Sequence, residues 1–106
     1  MLIKLLKSNI AIVGGGKFCR NLLELLYSDH FEDQRPTVLG VADEIDQAEG
    51  MAYAKQMGIF TTNDYRELLK LQNLDIVMEL TADERLSAII NSIKPSGTRL
   101  IDHVEA

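Results

Sequence analysis

Three consecutive glycines, Gly14-Gly15-Gly16, followed by Lys17, Phe18 and Cys19, carry the clearest chemistry in this chain. Read as Gly-x-Gly-x-x-small, the phrase uses Gly14 for a sharp turn and Gly16 for the close approach of a phosphate to the backbone. Cys19 stands where glycine or alanine is usual and is small enough for close helix–strand contact. A helix opening at Lys17 adds unpaired N–H groups and partial positive charge, which suit a pyrophosphate. A glycine triplet is also a common plain turn, so a turn without ligand stays open. Asp43 is the second marker, somewhat farther along than the spacing of about 20 residues usual for an acid that binds ribose. A carboxylate there accepts hydrogen bonds from an adenosine ribose and repels a 2′-phosphate, which favours NAD over NADP. With Glu44 and Asp46 nearby, it also reads as a helix cap or a solvated acidic cluster. The third marker is Glu79-Leu80-Thr81-Ala82, where Thr81, with Ala82 beside it, is placed to face the ribose on the nicotinamide side. Thr81 has a competing duty as a helix cap.

Other chemistry is sparse. His30 lies in a charged loop and reads as solvated. His103 follows Asp102 and is either solvated or at the edge of a ligand cleft. Neither has a second ligand at a metal-like spacing, so no metal is expected. Cys19 reads as a packing residue; its place near a helix start is also one that can lower a thiol pKa. No nucleophile–base constellation stands out, and no catalytic residue is expected in this chain.

The elements that must position these residues follow from periodicity. Asn9–Val13 is a short β-branched run that stops at the glycines, as a strand buried on both faces does. Residues 17–28 carry Phe18, Leu22, Leu25 and Leu26 at helical spacing, an apolar stripe expected in the core. The polar stretch 28–36 is a surface connection. Thr37–Ala42 is a second strand, and 47–57 a helix with Asp46 as N-cap and Glu49 three residues on. Ile59–Thr61 is a brief strand, and Asp64 with Glu67 opens a short helix ending near Leu71. Asp75–Leu80 is the fourth strand. Thr81 and Glu84 form a capping box for a helix through Ile93, and Thr98–Ile101 is the fifth strand. The order βαβαβαβαβ predicts an α/β domain with a three-layer, doubly wound parallel sheet of about five strands, the Rossmann-type fold.

Bulk properties bound the rest. The 106 residues suit a single domain, 1–106, and 46% apolar content supports a core. A formal charge of −5 argues against sequence-independent nucleic-acid binding and against an anionic membrane. One cysteine rules out an intrachain disulfide and suits a reducing compartment. Residues 1–8 are interrupted by Lys4 and Lys7 and are too short to span a bilayer. A cytoplasmic location is expected. The stop close behind the fifth strand suggests a piece of a longer protein.

The run from Asn9 to Asp102 resembles the nucleotide-binding half of glucose–fructose oxidoreductase/inositol dehydrogenase-type enzymes, homoserine dehydrogenase and dihydrodipicolinate reductase. The matching phrases are the glycine turn, Val41-Ala42-Asp43, Thr62-Asn63-Asp64-Tyr65-Arg66-Glu67-Leu68-Leu69 and Asp75-Ile76-Val77-Met78-Glu79-Leu80-Thr81. The sugar-oxidoreductase group carries Glu-Lys-Pro after the fifth strand, its lysine taking part in the chemistry; here Asp102-His103-Val104-Glu105 stands there. Val13–Cys19, Leu39–Asp43, Gly58–Thr62 and Leu100-Ile101-Asp102-His103-Val104 resemble more closely an N-terminal Rossmann-like module. That module precedes the PAS and kinase regions of some bacterial signal-transducing histidine kinases. This resemblance implies an NAD(P)-binding input module with no catalytic residues of its own, coupled in cis to downstream signalling domains. The alternatives are the cofactor-binding half of an NAD-dependent dehydrogenase and a ligand-free scaffold used in forming a homodimer.

Overall fold

The computed structural model describes residues 7–28 and 35–103. His30, residues 1–6, most of the 28–36 connection and the pair Val104-Glu105 lie outside the described residues. The elements are β1 (Asn9–Val13), α1 (Lys17–Leu26), β2 (Thr37–Ala42), α2 (Glu49–Gln56), β3 (Thr61–Thr62), α3 (Tyr65–Leu68), β4 (Ile76–Glu79), α4 (Glu84–Ile93) and β5 (Arg99–Ile101). All strand pairs are parallel, in the order β3-β2-β1-β4-β5. The expected five-stranded, doubly wound α/β sheet is the one observed.

Strand alternation explains the two covering layers. On β1, Ile10 and Ile12 face a core filled by Cys19, Leu22, Leu23 and Leu26 of α1 and by Met51 and Ala54 of α2. Ala11 and Val13 face the opposite core, with Leu68 of α3 and Ile90 of α4. On β2, Val38 and Val41 share the first face although they are three residues apart. The register against β1 slips between Ile10 and Ala11, passing over Leu39, and this resets the parity. Both faces are covered, so the central strands read as continuous apolar runs.

Several local expectations need correction. The buried arc of α1 is Cys19, Leu22, Leu23 and Leu26, an i, i+3, i+4, i+7 stripe. Phe18 and Leu25 lie off that arc and are 51% and 41% exposed, so neither is core. The helix ends at Leu26, and α3 at Leu68 rather than near Leu71. Asp46 does not cap α2: Ala48 occupies the N-cap without a side-chain bond, and Asp46 pairs with Lys55 at 2.8 Å. The third strand is Thr61–Thr62 rather than Ile59–Thr61, since only these two residues pair with Val41 and Ala42 of β2.

At α4 the cap is Asp83, whose Oδ1 accepts from Arg85 and Leu86 N–H at 3.0 and 3.2 Å. Thr81 is two residues too early. Replacing Asp83 by alanine will cost about 1 kcal/mol of stability, measured by urea denaturation, with α4 losing amide protection first. Unchanged stability would mean that Asp83 does not carry the cap. Among the described residues no helix is long and apolar enough to cross a membrane.

Candidate functional site

The chain leaves β1 toward β2 and β3 on one side and leaves β4 toward β5 on the other, so a crevice opens at the carboxyl ends of β1 and β4. Ligands of open α/β sheets sit at such a switch point. The cleft here has a volume of about 770 Å³, within the range of roughly 300–1,000 Å³ usual for ligand sites. Its floor is Val13, Gly14 and Gly16; one wall is Asp43–Ile45 with Asn63–Arg66, and the other is Leu80, Thr81 and Asp83.

Gly14 turns the chain at φ +111°, and a Cβ there would stand 3.0 Å from the Leu80 backbone. Its N–H is spent on the Ala42 carbonyl. Gly16 is the N-cap of α1 in an extended conformation, with no side-chain cap and no acid in the first turn. The first N–H groups of α1 have no intrahelical partner, and no acid of the helix's own first turn competes for them. Lys17 and Phe18, the first two residues of α1, are exposed. Cys19 is fully buried. Burial first, and then the charge of Asp43, pushes its thiol up to about 12. The helix start therefore does not activate it, and Cys19 stays a neutral packing residue.

Asp43 is pinned on every side. Its Oδ2 accepts from Gly15 N–H at 2.7 Å and its Oδ1 from Ile45 N–H at 2.8 Å. Its own N–H donates to the Thr62 carbonyl, and its carbonyl accepts from Asn63 Nδ2 at 2.9 Å. The carboxylate thus ties the glycine turn to the end of β2, and the residue lines the cleft. Ile45, 63% exposed, stands beside it. Asp64 and Arg66 form a fork of two bonds at 2.9 and 3.1 Å; the Arg66 hydrogen bonds hold the Asp64 carboxyl below its ordinary value.

A second tie was not visible in the sequence. The Gly15 carbonyl accepts from both Gly50 and Met51 N–H, at 2.7 and 3.1 Å, so the N-terminus of α2 is closed by the glycine turn itself. Gly50 allows this because any Cβ there would meet Gly15 O at 2.7 Å and Cys19 at 2.8 Å. The signal was a glycine within a predicted helix, an unfavourable choice unless another backbone comes close. Thr81 lies on the cleft wall but its hydroxyl is already engaged by Glu79; Ala82 follows it at φ 63°. Among the described residues no group of three or more potential metal ligands comes together.

No protein-family model and no curated protein matches the chain. Solved structures do. GenD2 from gentamicin A biosynthesis, in complex with NAD, superposes with a TM-score of 0.70 at 22% identity, over 91% of this chain and 26% of that one. An NAD-binding protein from Listeria innocua gives 0.66 at 24%, over 91% and 27%. An NAD binding oxidoreductase from Klebsiella pneumoniae gives 0.59 at 21%, over 91% and 26%. At these identities the likeness establishes the fold, and this chain spans about a quarter of each of those proteins.

Proposed function

We propose that this chain is an NAD-binding domain. The observation that carries the reading is the start of α1 at Gly16, with no side-chain cap and no acid in its first turn, opening into a cleft whose adjoining wall presents the Asp43 carboxylate beside Gly15. The diphosphate would lie on the Gly16 side, against the N–H groups and partial positive charge of α1. Asp43 would hold the adenosine ribose, with Ile45 supplying an apolar surface for the base. The nicotinamide end would run toward Leu80 and Thr81. When bound, the dinucleotide supplies hydride chemistry; the chain's own residues bind and orient it. That GenD2 is complexed with NAD, and that the other two matched proteins bind it, supports the same assignment.

The test is calorimetric titration with NAD, NADH, NADP and NADPH. The non-phosphorylated pair will bind at least about tenfold tighter, because Asp43 repels a 2′-phosphate. Binding of none of the four overturns the reading, and a preference for the phosphorylated pair overturns the role of Asp43.

For the whole protein we favour the cofactor-binding part of an oxidoreductase, since this chain spans only about a quarter of each matched structure and one of them is an NAD binding oxidoreductase. Catalytic groups would then come from outside this domain. The second reading is the input module of a signal-transducing histidine kinase, favoured by Asp102-His103 in place of Glu-Lys-Pro after β5. An α/β substrate domain downstream in the reading frame supports the first; PAS and kinase motifs support the second.

A further inference from the structure

Glu79 ends β4 with its side chain fully enclosed, and the cleft chemistry above makes no use of it. A buried acid needs partners, and both oxygens have them. Oε2 accepts from Thr81 N–H at 2.6 Å and from the Thr81 hydroxyl at 2.5 Å. Oε1 accepts from His103 N–H at 3.3 Å and meets His103 Nδ1 at 2.5 Å. The Thr81 hydroxyl in turn accepts from Asp83 N–H at 3.1 Å, and Asp83 caps α4. One carboxylate therefore connects the turn after β5 to the cleft wall after β4. That wall contains a non-glycine residue, Ala82, at φ 63°. This conformation crowds the Cβ against the backbone and persists only where neighbours enforce it.

We propose that Glu79 is a positioning residue for the nucleotide cleft, holding the Thr81 wall in place, with His103 as its proton-dependent partner, so that nucleotide affinity falls as His103 loses its proton. This rests on the NAD-binding reading. Among the described residues, the charged groups acting on His103 are carboxylates: Glu79 from β4, Asp102 beside it, and Glu84 from the first turn of α4. The Glu79 hydrogen bond, ahead of an opposing effect of burial and aided by the charges of the three carboxylates, lifts the imidazole above its ordinary 6.5. Burial alone would raise Glu79; the hydrogen bonds from Thr81 and His103 outweigh it and keep the acid ionised. The sign follows. The contribution of His103 is complete below pH 6.5 and is lost as pH climbs through the raised value.

The experiment measures NAD affinity between about pH 6 and pH 9, together with the amide exchange of Thr81 in the ligand-free domain. For the parent, Kd will rise about fivefold across that range. His103→Asn places an amide donor near the Nδ1 position but does not titrate, so it will keep the low-pH affinity and give a flat profile. His103→Ala will bind about fivefold more weakly at low pH and exchange Thr81 faster. A His103→Asn profile that still follows the parent's, or Thr81 exchange unchanged in His103→Ala, overturns the proposal. If the parent binds no NAD, the nucleotide reading fails by itself, and the exchange comparison still decides whether the clasp holds the wall.

Discussion

Replacing Gly16 by valine will weaken NAD binding about a hundredfold, close to 3 kcal/mol, while costing no more than about 1 kcal/mol of fold stability. The asymmetry comes from where the new side chain goes. A Cβ at Gly16 meets no protein atom within 4 Å, and the backbone there is extended at φ −85°, a conformation that valine accepts. The same volume that is empty of protein is the approach to the N–H groups of α1. A branched side chain holds a diphosphate away from them, and charge-assisted bonds to backbone donors do not survive such a displacement. Calorimetry gives the affinity and thermal denaturation gives the stability. Parent-like affinity in the valine variant would move the phosphates off this turn.

The opposite balance is expected in the next helix, α2. Gly50→Val will destabilise the domain by about 3 kcal/mol, which lowers the melting temperature by roughly 10–20 °C for a domain of this size. A Cβ at this position would lie 2.7 Å from the Gly15 carbonyl oxygen and 2.8 Å from both Cβ and Sγ of Cys19. None of these is the far end of a flexible side chain, so α2 must back away from α1. The two N–H bonds that Gly50 and Met51 give to Gly15 lengthen with it. Helix propensity alone predicts the reverse sign, since valine is a better helix residue than glycine. A melting temperature equal to or above the parent's would show that the two helices do not need this close approach.

The sequence is most informative where one physical effect dominates. Asn9–Val13 and Thr37–Ala42 were legible to the residue because both faces of those strands are buried, and continuous β-branched runs are the direct result. Thr61–Thr62 was displaced from its expected place because two residues of edge pairing leave little pattern. Asp64 caps α3 as expected, and the starts of α2 and α4 were the weakest point. Several acids and hydroxyls stand near each one, and tertiary contacts choose among them. Thr81 loses the α4 cap because the helix opens two residues later, at Asp83, whose N–H is the one the Thr81 hydroxyl accepts, and Asp46 is drawn to Lys55. The glycine turn and Asp43 were legible as a pair of markers, but the 2.7 Å bond between Gly15 and Asp43 was not. The same holds for Glu79 and His103, which stand 24 residues apart. They meet only because β4 and β5 run side by side.

The placement of β1 in the middle of the sheet also sets an order of events at the ribosome. Its first neighbour, β2, is made soon after it, but its second, β4, is not. Asn9 meets the carboxylate of Asp75, 66 residues later. At about 5–20 residues per second, that stretch takes roughly 3–13 s to synthesise. Throughout it, the edge of Ile10-Ala11-Ile12-Val13 that will receive Ile76–Glu79 has no partner strand in the nascent chain. An apolar, unpaired strand edge is the kind of surface on which chains pair wrongly with one another. The strand that carries the glycine turn into the cleft is therefore also the domain's most vulnerable segment while it is being made.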